Sequence, residues 1–171
     1  MISPPLLATL TLLPLALAAP TPASQTPAAP TPTPCKAKIE QLPWHLTNLT
    51  IFTSSHNTNS SSTPGSSLSF HFCDTNDRLQ LDTTCTRTLA AGSALVDAET
   101  YYPCEGGDVR FIYAGAWVGV ERGFEDDCLG PYPYNSAIAY GQANTSLVES
   151  TSVEGVMLTQ AVVVVHITKE S

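Results

Sequence analysis

Positive charge is scarce in this chain. Seven Lys plus Arg stand against fifteen Asp plus Glu in 171 residues, a formal net charge of −8. Phosphate backbones and anionic membrane surfaces are held by clustered cations, so neither nucleic acid nor membrane is an expected partner. No C-x-x-C pair occurs among the five cysteines, which removes the common zinc and thioredoxin-type spacings. There is no G-x-S-x-G elbow and no H-E-x-x-H pair, and the four histidines are scattered. Nothing in the spacing therefore aligns a nucleophile with a base and an orienting carboxylate. Asp82, Asp108, Glu121 and Glu125 could supply paired acids for glycoside chemistry, but no two are brought together by sequence. Glu125-Asp126-Asp127 lacks the D-x-D-x-D-G frame of a calcium loop, and consecutive side chains diverge, so it reads as a solvated acidic turn. The expectation is a protein without catalysis, cofactor or metal.

The remaining composition divides the chain. Residues 1–18 read as a secretory signal peptide: Leu6 to Ala19 is apolar except for Thr9, Thr11 and Pro14, and Ala16-Leu17-Ala18 is a small-x-small cleavage site. The run is too short and too interrupted to span a membrane. Residues 19–34 form a Pro/Thr/Ala-rich linker or pro-region. They carry Pro20, Pro22, Pro27, Pro30, Pro32 and Pro34 and no charge, so they favour extended polyproline conformations and cannot build a core. Residues 35–171 are long enough to bury about two-thirds of their unfolded surface as one domain.

Within that domain the period is two. Leu68, Phe70 and Phe72 alternate with Ser67, Ser69 and His71, the mark of a half-buried strand. Asp74-Thr75-Asn76-Asp77 is a turn cluster. Leu79, Leu81, Thr83 and Cys85 then share one face, and Val109, Phe111 and Tyr113 follow the turn Glu105-Gly106-Gly107-Asp108. Trp44 and Leu46 lie on one parity and Leu49 and Ile51 on the other, which predicts a bulge near Thr47 or Asn48. Trp117, Gly119 and Glu121 alternate with Val118, Val120 and Arg122. Val162 to Val165 is apolar on both parities, which predicts a central strand or one covered on both faces. The fold class expected is all-β: a single compact antiparallel β-barrel or β-sandwich stabilised by disulfides.

Five cysteines behind a signal peptide imply an oxidising compartment. Cys85 and Cys104 are read as a disulfide closing the loop between two strands. Cys73 and Cys128 are a plausible second pair, since each follows a strand-like run beside acidic turn residues. Cys35, at the linker junction, is then free or joins two chains; the competing reading bridges it to Cys73 or Cys128 within the domain.

The order Ser67-x-Ser69-Phe70-x-Phe72, then Cys85, then Tyr102-Pro103-Cys104-x-x-x-x-Val109-x-Phe111, preceded by Trp44-His45-Leu46-Thr47-Asn48-Leu49-Thr50, resembles the small secreted fungal β-proteins grouped with the major allergen of Alternaria. The resemblance spans roughly Trp44 to Asn144. It implies a compact β-barrel or sandwich, secretion, and a non-enzymatic, allergen-like or effector-like role at a host or cell-wall surface. Some members dimerise, so it also implies a possible homodimer through Cys35. It carries over no catalytic residue.

Three N-glycosylation sequons begin at Asn48, Asn59 and Asn144. Tyr132 and Tyr134, each beside a proline, could form an exposed aromatic platform, with Trp117 as a further stacking residue. The expected partner is a host or cell-wall protein or glycan, bound through surface loops. The alternative is a carbohydrate-binding or wall-associated module.

Overall fold

In the computed structural model, the described residues are 35–38, 40–55, 65–91 and 93–171. The expected signal peptide and linker and the Asn59 sequon lie outside them. Among the described residues there are nine strands: β1 (Trp44–Ser54), β2 (Ser66–Asp74), β3 (Leu81–Leu89), β4 (Asp97–Pro103), β5 (Val109–Tyr113), β6 (Trp117–Glu125), β7 (Ser136–Asn144), β8 (Val148–Thr151) and β9 (Gly155–Glu170). Every pairing is antiparallel, in the order β3-β2-β1-β9-β7-β6-β5-β4, with β8 added to β9. The result is the all-β, nearly closed barrel-like sheet that the alternation predicts.

One strand joins the two halves. β9 pairs with β1 from Trp44↔Val165 to Ser54↔Gly155. Its other edge takes β8 along the first half and β7 along the last. β9 is central in the sheet but covered on one face only: Val163 and Val165 are buried, whereas Val162 and Val164 are 49% and 40% exposed.

Alternation sets the core. Trp44, Leu46, Phe70, Phe72, Phe111, Val118 and Val120 point inward and are at most 2% exposed. Burying side chains of this size stabilises the fold by about 1.5–3 kcal/mol each. In β1 the parity changes at Asn48, whose φ of 57° is tolerable for Asn. The register with β2 shifts between Thr47 and Thr50, so the bulge returns Leu49 and Ile51 to the core. Phe70 of β2 meets Phe111 of β5 edge-on at 5.1 Å between ring centroids, which ties the halves across the interior. Gly141 leaves room for Trp44: a methyl group there would stand 2.7 Å from Val165 Cγ1 and 3.0 Å from Trp44 Cζ3.

The end strands β3 and β4 do not pair with each other as strands. Their junction is closed by Cys85–Cys104, as expected, and by Glu105 N donating to Thr84 O at 2.9 Å. Arg87 adds a polar clasp. It donates to Leu95 O at 2.8 Å and lies 3.7 Å above the Tyr102 ring. The Tyr102 hydroxyl in turn donates to Asp97 Oδ2 at 2.6 Å.

The second disulfide corrects the expected map. Cys128 is joined to Cys35, with Cα atoms 5.4 Å apart, one of the two bridges the competing intradomain reading allowed, and not to Cys73. Cys73 alternates with inward-facing Phe72 and Asp74, so it faces the outside of β2. Its cross-strand neighbours are His45 and Asp82. Cys128 belongs to the β6–β7 loop, where the segment beginning at Cys35 is fastened. Cys35 is thereby removed as an inter-chain link, and Cys73 is the unpaired cysteine among the described residues.

Candidate functional site

The inward parity of β6 places Arg122 in the same row as Val118 and Val120. A guanidinium there needs acid partners, because an unpaired buried charge is strongly unfavourable. Glu40 supplies one, accepting from Arg122 Nη1 at 2.6 Å, and the Asp74 carboxylate contacts the same nitrogen. Arg122 Nη2 donates to Leu79 O. Asn76 Nδ2 donates to Glu40 Oε2 at 2.6 Å and Asp74 Oδ1 at 2.8 Å. Its Oδ1 accepts from the backbone N–H groups of Gln41 and Leu42 at 2.8 and 2.6 Å. Trp44 Nε1 donates to Glu40 Oε2 at 3.2 Å. Burial pushes the Glu40 carboxyl up from its ordinary value, while Arg122 and Trp44 pull it back. Burial likewise lowers Arg122, opposed by Glu40.

This network fastens the segment before β1 across one end of the barrel. Further bonds follow from Lys38 N to the Asp126 carboxylate, from Lys38 Nζ to Glu125 O at 2.9 Å, and from Arg78 Nη2 to Lys36 O at 2.6 Å. A 620 Å³ cleft beside it is lined by Arg122, Lys38, Arg78, Asp108, Phe124 and Ile138, among others. Glu40 and Asp74 are not part of its wall, so the buried acid pair is not presented to a ligand there. The chemistry suits closure of the barrel end. Sequence reading missed this cluster, although Arg122 sharing a parity with Val118 and Val120 was its signal.

Of the carboxylates named as possible acid pairs, two share the cleft wall and two lie elsewhere. Asp108 and Glu125 line the cleft. Asp82 lies 3.8 Å from His71, and Glu121 pairs with Arg110 at 3.1 Å on the outer face. Among the described residues, no three His, Cys, Asp or Glu side chains converge as a metal ion would require.

The β6–β7 loop carries the aromatic pair. Asp126 turns inward and caps the loop, accepting from Lys38 N and from Cys128 N, the latter at 3.0 Å. Those backbone donors hold its carboxyl below the ordinary value, Lys38 first. Asp126 N donates to Asn135 O at 2.7 Å and Tyr134 N to Pro131 O at 2.8 Å. The loop is therefore tied at its neck, within itself and through Cys35–Cys128. At its tip Tyr132 and Tyr134 are 85% and 75% exposed.

Trp117 is elsewhere. It starts β6, whereas the loop follows Glu125 at the other end of that strand. Eight residues of strand span about 26 Å, so Trp117 does not share a surface with Tyr132 and Tyr134. It lies half-buried on the outer face near Gly119, Ile112 and Tyr101. Asn48 and Asn144 are both exposed, Asn48 at the β1 bulge and Asn144 opposite Trp117.

Comparison of the chain with family models, with curated proteins and with solved structures gave no match.

Proposed function

We propose that this chain is a secreted, non-enzymatic binding protein, allergen-like or effector-like, that engages a host or cell-wall component through its β6–β7 loop. The observation that carries the reading is the exposure of Tyr132 and Tyr134 at 85% and 75% on a loop tied at its neck. Neither ring contributes to the core, so folding alone does not account for them. Tyrosine offers a large rigid contact area with a polar tip at low entropy cost, and a pre-ordered loop loses little freedom on binding. Two disulfides are consistent with an oxidising, extracellular setting. The net charge of −8 favours a neutral or basic partner surface. The order of strands and cysteines that resembles the fungal β-proteins supports the same assignment.

The test is binding of labelled protein to isolated cell walls and to host extracellular fluid, with Y132A/Y134A as the comparison. We expect the double variant to lose at least tenfold in binding with an unchanged melting temperature. Equal binding by both proteins would remove the loop from the function.

A further inference from the structure

The outer face of β4–β7 is built differently from a plain solvated sheet. Alternation places Trp117, Gly119 and Glu121 of β6 outward, with Arg110 and Ile112 of β5, Tyr101 of β4, and Tyr140, Gln142 and Asn144 of β7 on the same side. Ile112 lies on this outer face yet is only 3% exposed. The register sets Gly119 between Ile112 and Gln142. A methyl group at Gly119 would stand 2.8 Å from Ile112 Cγ2, 3.0 Å from Trp117 Cζ3 and 3.5 Å from the Tyr101 hydroxyl oxygen. The missing side chain lets the indole settle on the sheet beside Ile112, with Tyr101 closing from the far side. Tyr140 stands opposite Glu121 in the register. Glu121 and Tyr140 are close enough to Tyr101 to add to burial in holding its hydroxyl above the ordinary value.

The polar groups between these rings are already balanced. Arg110 pairs with Glu121 at 3.1 Å and lies 5.9 Å from the Tyr101 ring, and the Lys169 ammonium lies 5.9 Å from the Tyr140 ring. In a chain of net charge −8, this patch has no uncompensated acid to draw a polycation, and the surrounding field repels a polyanion. A wholly apolar partner would desolvate the Arg110–Glu121 pair and leave the Gln142 amide without hydrogen bonds, which is costly. The ligand that fits is uncharged, ring-shaped, and carries both apolar C–H faces and hydroxyl groups.

We propose that Trp117, Tyr101 and Tyr140 form a stacking surface for an uncharged pyranose polysaccharide, with Gln142, Arg110 and Glu121 bonding its hydroxyls. This site is separate from the Tyr132/Tyr134 loop and stands or falls independently of it. The Asn144 sequon lies directly across from Trp117, so a covalent glycan there would compete for the same surface.

The experiment uses the full secreted chain after enzymatic removal of N-glycans, run in native gels containing laminarin, xyloglucan, soluble starch or polygalacturonate. We expect retardation by at least one of the three neutral polymers and none by polygalacturonate. The same polymer should alter the emission of Trp117 and leave buried Trp44 silent, so W117F should bind without a fluorescence change. W117A should weaken retardation at least tenfold. Q142A, which alters only an exposed side chain, should weaken it severalfold and keeps the test valid if W117A fails to fold. The proposal is overturned if no neutral polymer retards the protein, if polygalacturonate retards it equally, or if neither W117A nor Q142A weakens binding. Binding abolished by Y132A/Y134A alone would move the ligand to the loop and equally overturn it.

Discussion

The two faces of the β6–β7 half of the barrel solve the same packing problem and end differently. On the inner face Trp44 rests against Gly141; on the outer face Trp117 rests against Gly119. A methyl group at either glycine would stand 3.0 Å from the indole Cζ3. Inside, Trp44 is fully buried, meets Phe72 edge-on at 5.5 Å, and gives its N–H to Glu40. Outside, Trp117 stays half-exposed beside Tyr101. The inner tryptophan is consumed by folding. The outer one retains surface that only a second molecule or a covalent glycan could cover, and this difference separates stability residues from binding residues in a fold that uses the same local device twice.

The sharpest way to break the comparison lies in the charges above Trp44. Arg122→Met strands the Glu40 and Asp74 carboxylates in the interior, and we expect a loss of about 3–5 kcal/mol by urea unfolding. Trp44→Ala should cost a similar 3–5 kcal/mol, whereas Trp117→Ala should cost about 1 kcal/mol or less, because its ring is only partly withdrawn from water. If the two tryptophans cost the same, the outer face belongs to the core after all.

The glycines sharpen the contrast. Gly141→Ala forces Val165 and Trp44 apart inside a closed core and should cost about 1–3 kcal/mol. Gly119→Ala makes an equally close contact, but Trp117 can swing toward solvent, so the loss should be about 0.5–1 kcal/mol with a visible shift of Trp emission. Opening the Cys35–Cys128 bridge by a double Ser substitution should lower stability by about 4–5 kcal/mol in the chain-entropy model, against about 3 kcal/mol for Cys85–Cys104, whose loop is shorter. The sequence separations are 93 and 19. Differential calorimetry of the two double variants ranks them.

The smallest effect is a pH response at the β3–β4 junction. The Tyr102 hydroxyl, followed by the Glu99 N–H, holds the Asp97 carboxyl at about 2 against an ordinary 3.8. The unfolded chain therefore takes up this proton first as the pH falls. The contribution of Asp97 is present above about pH 3.8 and is lost on the way to pH 2. The melting temperature of D97N should lie below that of the unaltered chain at pH 7, and the gap should close as the pH falls through 2. A gap that persists there would show that Asp97 acts through packing instead.

Much of the barrel was legible because strand alternation is a local property. Phe70 and Phe72, Val118 and Val120, and the parity change at Asn48 each declare which side is buried within a few residues. Cys85–Cys104 was legible for the same reason, since its loop closes within one meander. Cys35–Cys128 was legible only as one open alternative, because proximity across 93 residues depends on where the β6–β7 loop ends up relative to the segment before β1. The exposure of Val162 and Val164 escaped the pattern as well. An apolar pair on both parities identifies a central strand, but nothing local says whether a second layer will cover its outer face.

Sequence alone determined the all-β class and the inward rows, because side-chain direction in a strand follows from a two-residue period. Tertiary structure alone decided that Trp117 lies beside Tyr101, on the face that also carries Tyr140, and not with Tyr132 and Tyr134. It alone decided that Arg122 finds Glu40 from 82 residues away, and that Cys73 is left unpaired. Strand order and register set those neighbours, and both are fixed by the joint burial of many side chains at once, a sum that no single stretch of the chain contains.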